Sequence, residues 1–241
     1  MNKPICLIRQ PAGLGDILVC LKIGYHMIDL GYDVIWPVIP EYEYLSKYLI
    51  TPWDFPVITD DYLYKNMIKS DRVYFDEHLL YLPLEKASLN IKNGGDISRL
   101  FLEKYQLAKV SIDNWQNFVD IKRDKNREDF LYNFYDIRDT DEYIFVNKMF
   151  ASPPNIQYIN INLDTEYEII EMRNLGSDNI FDWLKIIEYS QEIHTVQTSL
   201  QFIIEVLNFK QPKYIYPRIG LSSNFSYLDS VFNKDEWNYI C

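Results

Sequence analysis

Apolar positions along the chain fall into short continuous runs that alternate with stripes of helical spacing, the pattern of an α/β protein. Pro4–Ile8 is a continuous β-favouring run, which predicts a strand buried on both faces of a parallel sheet. Gln10-Pro11-Ala12-Gly13-Leu14-Gly15-Asp16 follows, and its glycines mark a tight turn. Ile17, Val19, Cys20, Ile23, Met27 and Leu30 then line one side of a predicted helix, with Gly31 placed to end it. Asp33–Pro37 reads as a second strand, so the chain opens with a βαβ unit of right-handed crossover. Tyr42–Leu49 reads as a short helix and Thr51–Pro56 as loop. Arg72–Phe75 and Leu79–Leu82 read as short strands, and Ile97–Leu107 as an amphipathic helix behind Asn93-Gly94-Gly95.

A densely charged stretch, Asp120–Asp129, precedes a restart of the same rhythm at Glu142. Tyr143–Val146, Ile156–Ile161, Tyr167–Glu171, Glu192–Val196 and Lys213–Tyr216 read as strands. Ile180–Tyr189, introduced by Asp178-Asn179, and Ser199–Leu207 read as helices. Three segments are therefore expected: a first Rossmann-like domain over 1–138, a second over 139–224, and a tail over 225–241. The tail carries Tyr227, Phe232, Trp237 and Tyr239 and is expected to pack back on the protein. In small doubly wound sheets, ligands sit at the carboxyl ends of the strands.

Composition narrows the classes. With 241 residues, 48% apolar and 24% charged, the chain can bury a core and is not disordered. A formal charge of −11 argues against nucleic acid or an anionic membrane surface as a partner. Cys6, Cys20 and Cys241 are odd in number and lack metal-ligand spacing, which fits a reducing cytoplasm. The apolar run Ile5–Ile8 stops at Arg9, too short for a secretory signal, and no stretch approaches transmembrane length. His26, His78 and His194 lie far apart, so no metal site is expected and no cofactor is called for. His194 reads as a strand histidine facing the core.

Two segments carry candidate chemistry. At the first turn, Gly13 and Gly15 let backbone approach a ligand, and a helix start favours an anion or a carboxylate such as Asp16. As a dinucleotide fingerprint the turn fails, because the third glycine position is Leu18 and Pro37 ends the second strand. Asp16 reads equally as a helix-capping or first-turn carboxylate. The second segment, Ile193-His194-Thr195-Val196-Gln197-Thr198-Ser199-Leu200-Gln201-Phe202, is a strand that ends at hydroxyl residues opening an apolar helix. Amides at such a start bind a diphosphate, and a plain Thr or Ser N-cap has the same pattern. Lys148, after the first strand of the second half, is a phosphate candidate or an exposed loop lysine. Glu171 ends another strand, and Arg173 and Arg218 are further possible phosphate partners. Asp139-Thr140-Asp141 has Asp-x-Asp spacing but precedes a strand within the charged linker, so it is not read as a metal site.

Together these segments resemble the lipopolysaccharide heptosyltransferases and their GT-B relatives. In that family a Gly-x-Gly-Asp-like turn follows the first strand, as Gly13-Leu14-Gly15-Asp16 does. Its second domain has an Asp-Thr-Gly-x-x-His-like segment, helix, Pro and strand, matched by Gln197–Phe202, the helix to Asn208, Pro212 and Lys213–Tyr216. Gln197 stands where the family often has Asp, Ser199 where it has Gly, and Phe202 where it has His. The resemblance covers about 35 residues at the start and about 40 near the end.

It implies two Rossmann-like domains facing a cleft and a cytoplasmic glycosyltransferase. A sugar would pass from a nucleotide-sugar donor to a hydroxyl acceptor, a glycan or another alcohol, with inversion and without a metal. It implies Asp16 as the base, with Gly13 and Gly15 on the acceptor side. Thr198, Ser199, Leu200 and Lys148 would hold the donor phosphates, and Glu171 and Gln197 the nucleoside. Two other outcomes stay open, a nucleotide-sugar epimerase on the same architecture and a non-catalytic nucleotide-sugar-binding relative.

Overall fold

The computed structural model describes residues 3–58, 73–75, 78–87, 99–150, 155–175, 179–218, 228, 231–232 and 234–240. The turn at Asn93-Gly94-Gly95 and the positions of Asp178 and Tyr227 lie outside the described residues. The chain is a mixed α/β protein that divides into two compact units, residues 1–121 with 226–231, and residues 122–225 with 232–241.

In the first unit, β1 (Ile5–Ile8) leads through Gly13 into α1 (Leu14–Asp29), and β2 (Asp33–Ile35) returns. A short α2 (Leu45–Tyr48), then β3 (Tyr74–Phe75), β4 (Leu79–Leu82) and α3 (Leu100–Ala108) follow. The sheet order is β2-β1-β4-β3, with β1 parallel to β2 and β4, and β3 antiparallel to β4. The α1 stripe of Ile17, Leu18, Val19, Leu21 and Ile23 is fully buried, and Gly31 takes the left-handed conformation just past the helix end, as its position in the sequence suggests. Trp36 stacks on Trp53 with ring centroids 6.1 Å apart, and Phe55 and Tyr25 pack edge-on to Trp53. Gly24 is where α1 passes this cluster, since a Cβ there would lie 2.5 Å from the Trp53 ring.

The second unit begins with α4 (Lys125–Phe134) and continues through β5 (Tyr143–Asn147) and the antiparallel pair β6 (Met149–Phe150) and β7 (Gln157–Tyr158). Then come β8 (Glu168–Glu171), α5 (Leu184–Tyr189), β9 (Glu192–Val196), α6 (Ser199–Leu207), β10 (Lys213–Tyr216) and β11 (Asn238–Tyr239). The five strands pair in the order β11-β10-β9-β5-β8, every pair parallel. Successive β5 residues face opposite ways. Ile144 and Val146 pack on Ile161, whereas Phe145 meets Trp183 on the helical side. Asn179 opens the turn before α5 with a capping box, its side chain accepting from Phe181 N while Asp182 accepts from Asn179 N.

Two features differ from the sequence expectation. The predicted strand Ile156–Ile161 shortens to Gln157–Tyr158; Ile159 N still donates to the Lys148 carbonyl at 3.1 Å, and Ile159 and Ile161 pack on the β5 face beside Ile144 and Val146. The division between units falls after Ile121, where 138 was expected, so the charged stretch starts a helix of the second unit. Ion pairs fix it there: Arg123 binds Glu128 and Glu188, Arg127 binds Asp182 at 3.0 Å, and Lys185 binds Asp129 at 2.7 Å. The expected tail joins both units. Val231 accepts from the Trp115 indole at 2.9 Å in the first, and β11 extends the sheet of the second.

Candidate functional site

In the first unit the glycine turn leaves β1 at its carboxyl end. Gly13 is the residue before α1, at φ 82, a conformation that a side chain disfavours. No side chain caps α1; Asp16 instead stands in its first turn, where the helix dipole favours a carboxylate. Its Oδ1 lies 2.7 Å from the Nζ of Lys104, a side chain with 0% exposure, while the Asp16 side chain is 26% exposed. The Oδ2 sits over Gly13, 2.7 Å from where a Cβ would stand. Lys104 also donates to Gln10 Oε1 at 2.5 Å, and Gln10 Nε2 donates to the Ala12 carbonyl at 2.5 Å. The Gln10 carbonyl accepts from the Trp36 indole at 3.1 Å.

Lys104 was missed in the sequence. Its signal is a lysine inside the buried stripe Phe101, Lys104, Tyr105, Ala108 of α3. One turn beyond Asp16, Cys20 is an unreactive thiol, pushed up to about 12 by burial, with Asp16 adding to the shift and Lys104 opposing it. Beside the turn, Arg9 pairs with Glu85 and donates to the Tyr81 hydroxyl at 3.1 Å.

In the second unit the parallel register brings the candidates to one sheet edge. Val146 pairs with Glu171, Asn147 with Thr195, and Tyr216 with Val196. Lys148, Glu171, Gln197, Thr198, Ser199 and Arg218 therefore all stand at or just past carboxyl ends of strands. Lys148 and Glu171 are joined directly, Nζ to Oε2 at 2.7 Å. Below them Asn147 Nδ2 donates to Thr195 Oγ1 at 3.1 Å, fixing β5 to β9.

Thr198 is the N-cap residue of α6, but its side chain makes no capping bond, unlike a simple Thr cap. Ser199 and Leu200 form the first helical positions, with Leu200 buried. Gln197 is 1% exposed; its Oε1 accepts from Arg218 N at 3.4 Å and its Nε2 has no partner. Gln201, one turn on, is as deeply buried with both amide atoms unpartnered. Phe202, where the family has His, packs edge-on to Phe232 at 5.1 Å. His194 is buried as expected, stacked on Tyr214 at 4.4 Å with Tyr216 Oη and Glu192 Oε2 each at 2.9 Å from a ring nitrogen. Burial holds its imidazole below the usual range, with Glu192 opposing the shift.

Solved structures show what the fold is similar to. The crystal structure of the glycosyl transferase family 9 protein from Veillonella parvula DSM 2008 aligns with all of this chain and 88% of its own, at TM-score 0.53 and 9% identity. The two share a fold. The iron-containing dodecameric glycosyltransferase TibC from enterotoxigenic E. coli H10407 aligns over the whole chain and 63% of its own length, at TM-score 0.48 and 8% identity. No protein-family model matches the sequence, and no curated protein does. Among the described residues, no three His, Cys, Asp or Glu side chains gather in the manner of a metal site, and no helix is long and apolar enough to cross a membrane.

Proposed function

We propose that the protein is a glycosyltransferase that moves a sugar from a nucleotide-sugar donor to an acceptor hydroxyl, with inversion and without a metal. The observation that carries this reading is the fold shared along the whole chain with a family 9 glycosyltransferase. The two units serve as the two Rossmann-like domains of a GT-B enzyme. The first takes the acceptor at the Gly13–Asp16 turn, and the second takes the donor at its carboxyl sheet edge.

Asp16 accepts the proton of the acceptor hydroxyl as that oxygen attacks the anomeric carbon. The bond from that carbon to the diphosphate breaks, and the leaving group carries the electron pair. Its charge is met by the start of α6, through the amides at Thr198, Ser199 and Leu200, and by Lys148. Glu171 accepts from ribose hydroxyls while holding Lys148 in place. A helix start matters in a protein of charge −11, whose overall field repels a nucleotide.

The test is release of free nucleotide from UDP-glucose, GDP-mannose and ADP-glucose, with an alcohol acceptor panel and product analysis. Asp16→Asn is expected to abolish transfer while donor affinity by calorimetry stays near wild type. Retained transfer in a folded Asp16→Asn would leave Asp16 a structural partner of Lys104. Ser199→Glu places a like charge at the helix start and is expected to lose nucleotide affinity. A folded Ser199→Glu that binds as wild type moves the donor site elsewhere. An epimer without nucleotide release points to an epimerase, and binding without turnover to a non-catalytic relative.

A further inference from the structure

A lysine with no exposed surface is uncommon, because desolvating an ammonium is costly unless it is fully paired. Lys104 is such a residue, and its ammonium is met by two oxygens, Asp16 Oδ1 at 2.7 Å and Gln10 Oε1 at 2.5 Å. Gln10 is itself fixed at both ends. Its side-chain amide donates to the Ala12 carbonyl in the glycine turn, and its main-chain carbonyl accepts from Trp36. Trp36 in turn is stacked on Trp53. A continuous set of contacts therefore runs from the aromatic core through Gln10 and Lys104 to one oxygen of Asp16.

The two faces of the Asp16 carboxyl group are unlike. Oδ1 is enclosed against Lys104, yet a quarter of the side chain is exposed, so the solvent-facing part is the remainder. An aspartate in a first helical turn has more than one staggered rotamer open to it. The ammonium beneath selects one of them.

We propose that Lys104 is the positioning residue for the Asp16 carboxylate, an assignment that rests on Asp16 being the proton acceptor. Stability alone does not call for a buried ion pair. An apolar pair of similar volume is often as stable or more so. Lys104 acts by binding Oδ1, which leaves the rest of the carboxyl group presented in one orientation toward a hydroxyl. Gln10 keeps the ammonium from following the carboxylate if the latter moves.

The experiment uses the full chain with Lys104→Met, Lys104→Arg, Asp16→Asn and the double variant Asp16→Asn/Lys104→Met, folding being checked by circular dichroism. Two readouts are taken. Crystal structures of wild type and Lys104→Met report where the carboxylate lies, which requires no donor. Nucleotide release from UDP-glucose, GDP-mannose or ADP-glucose gives kcat and KM separately. Lys104→Met is expected to leave the Asp16 carboxylate displaced by about 1 Å, with kcat down roughly 100-fold and donor KM unchanged. Lys104→Arg is expected to recover part of kcat, and the double variant to be no slower than Asp16→Asn.

A carboxylate that stays in place in Lys104→Met, or an undiminished kcat there beside an inactive Asp16→Asn, overturns the role of Lys104 and leaves the base reading standing. Full activity in Asp16→Asn overturns the base reading instead. If single Lys104→Met fails to fold, the double variant decides, since it carries no stranded charge. A further loss of kcat in it relative to Asp16→Asn shows that Lys104 acts elsewhere and overturns the proposal.

Discussion

Replacing Gly13 by Ala perturbs the candidate site through a single added carbon. That Cβ would lie 2.7 Å from Asp16 Oδ2, about 0.7 Å short of the 3.4 Å at which ordinary van der Waals contact begins. The backbone at φ 82 is also one that an alanine adopts only at a cost of roughly 1–2 kcal/mol. For a chain of this size that stability loss lowers the melting temperature by about 2–8 °C. The carboxylate is the flexible partner and gives way first, so it leaves the position set by Lys104. Displacements near 1 Å at a reacting group cost on the order of 100-fold in rate, so a shift of about 0.7 Å predicts a kcat loss of 10- to 100-fold. The assay is nucleotide release by Gly13→Ala, with a melting curve and a crystal structure of the variant. In an Asp16→Asn background the same change should lower the melting temperature and leave the residual rate alone. The reasoning is refuted if folded Gly13→Ala keeps wild-type kcat while its carboxylate is seen displaced.

Two predictions concern stability. Arg123→Met strands the Glu128 carboxylate, whose side chain is 2% exposed, and should cost about 3–5 kcal/mol, or roughly 6–20 °C in melting temperature. Hydrogen exchange should quicken in α4 and α5 and stay unchanged in β1, and equal quickening in β1 would refute the assignment of α4 to the second unit. For His194, the folded imidazole lies below its unfolded value of 6.5, so the unfolded chain binds more protons as pH falls through that value. Stability should decline from about pH 7 to pH 5, and His194→Gln should flatten the decline. Equal slopes in wild type and variant would show that other groups cause it.

What could be read from the sequence was whatever depends on neighbours close along the chain. The glycine turn, the helix after it, and the strand Glu192–Val196 leading into Ser199–Leu207 all stand where periodicity and turn residues put them. The shared edge of Lys148, Glu171 and Thr198 follows from strand ends in a parallel sheet. The pairings were not legible. Lys104 meets Asp16 across most of a unit, and nothing local distinguishes an inward lysine of α3 from a solvated one except its place in the apolar stripe. The helix Lys125–Phe134 looked like a linker because its anchors are charges, and charge runs usually face water. Here Glu128 and Asp182 are buried carboxylates, matched by arginines. The resemblance implies Gln197 at the nucleoside, but its side chain is enclosed, with Oε1 accepting from Arg218 N.

The crossing of residues 226–231 into the first unit has a consequence for how such a protein can be taken apart or recombined. Neither unit is a cassette. A fragment ending at Ile121 would bury the Trp115 indole N–H without the Val231 carbonyl that accepts from it, at a cost of roughly 1–3 kcal/mol. A fragment beginning at Lys122 would carry residues 226–231 without the unit they belong to, in which Leu228 and Val231 are buried. Shuffling that exchanges one unit for a relative's must therefore move this six-residue piece with the opposite partner. Chimeras cut at the single sequence boundary should fail as folds before they can be judged as enzymes.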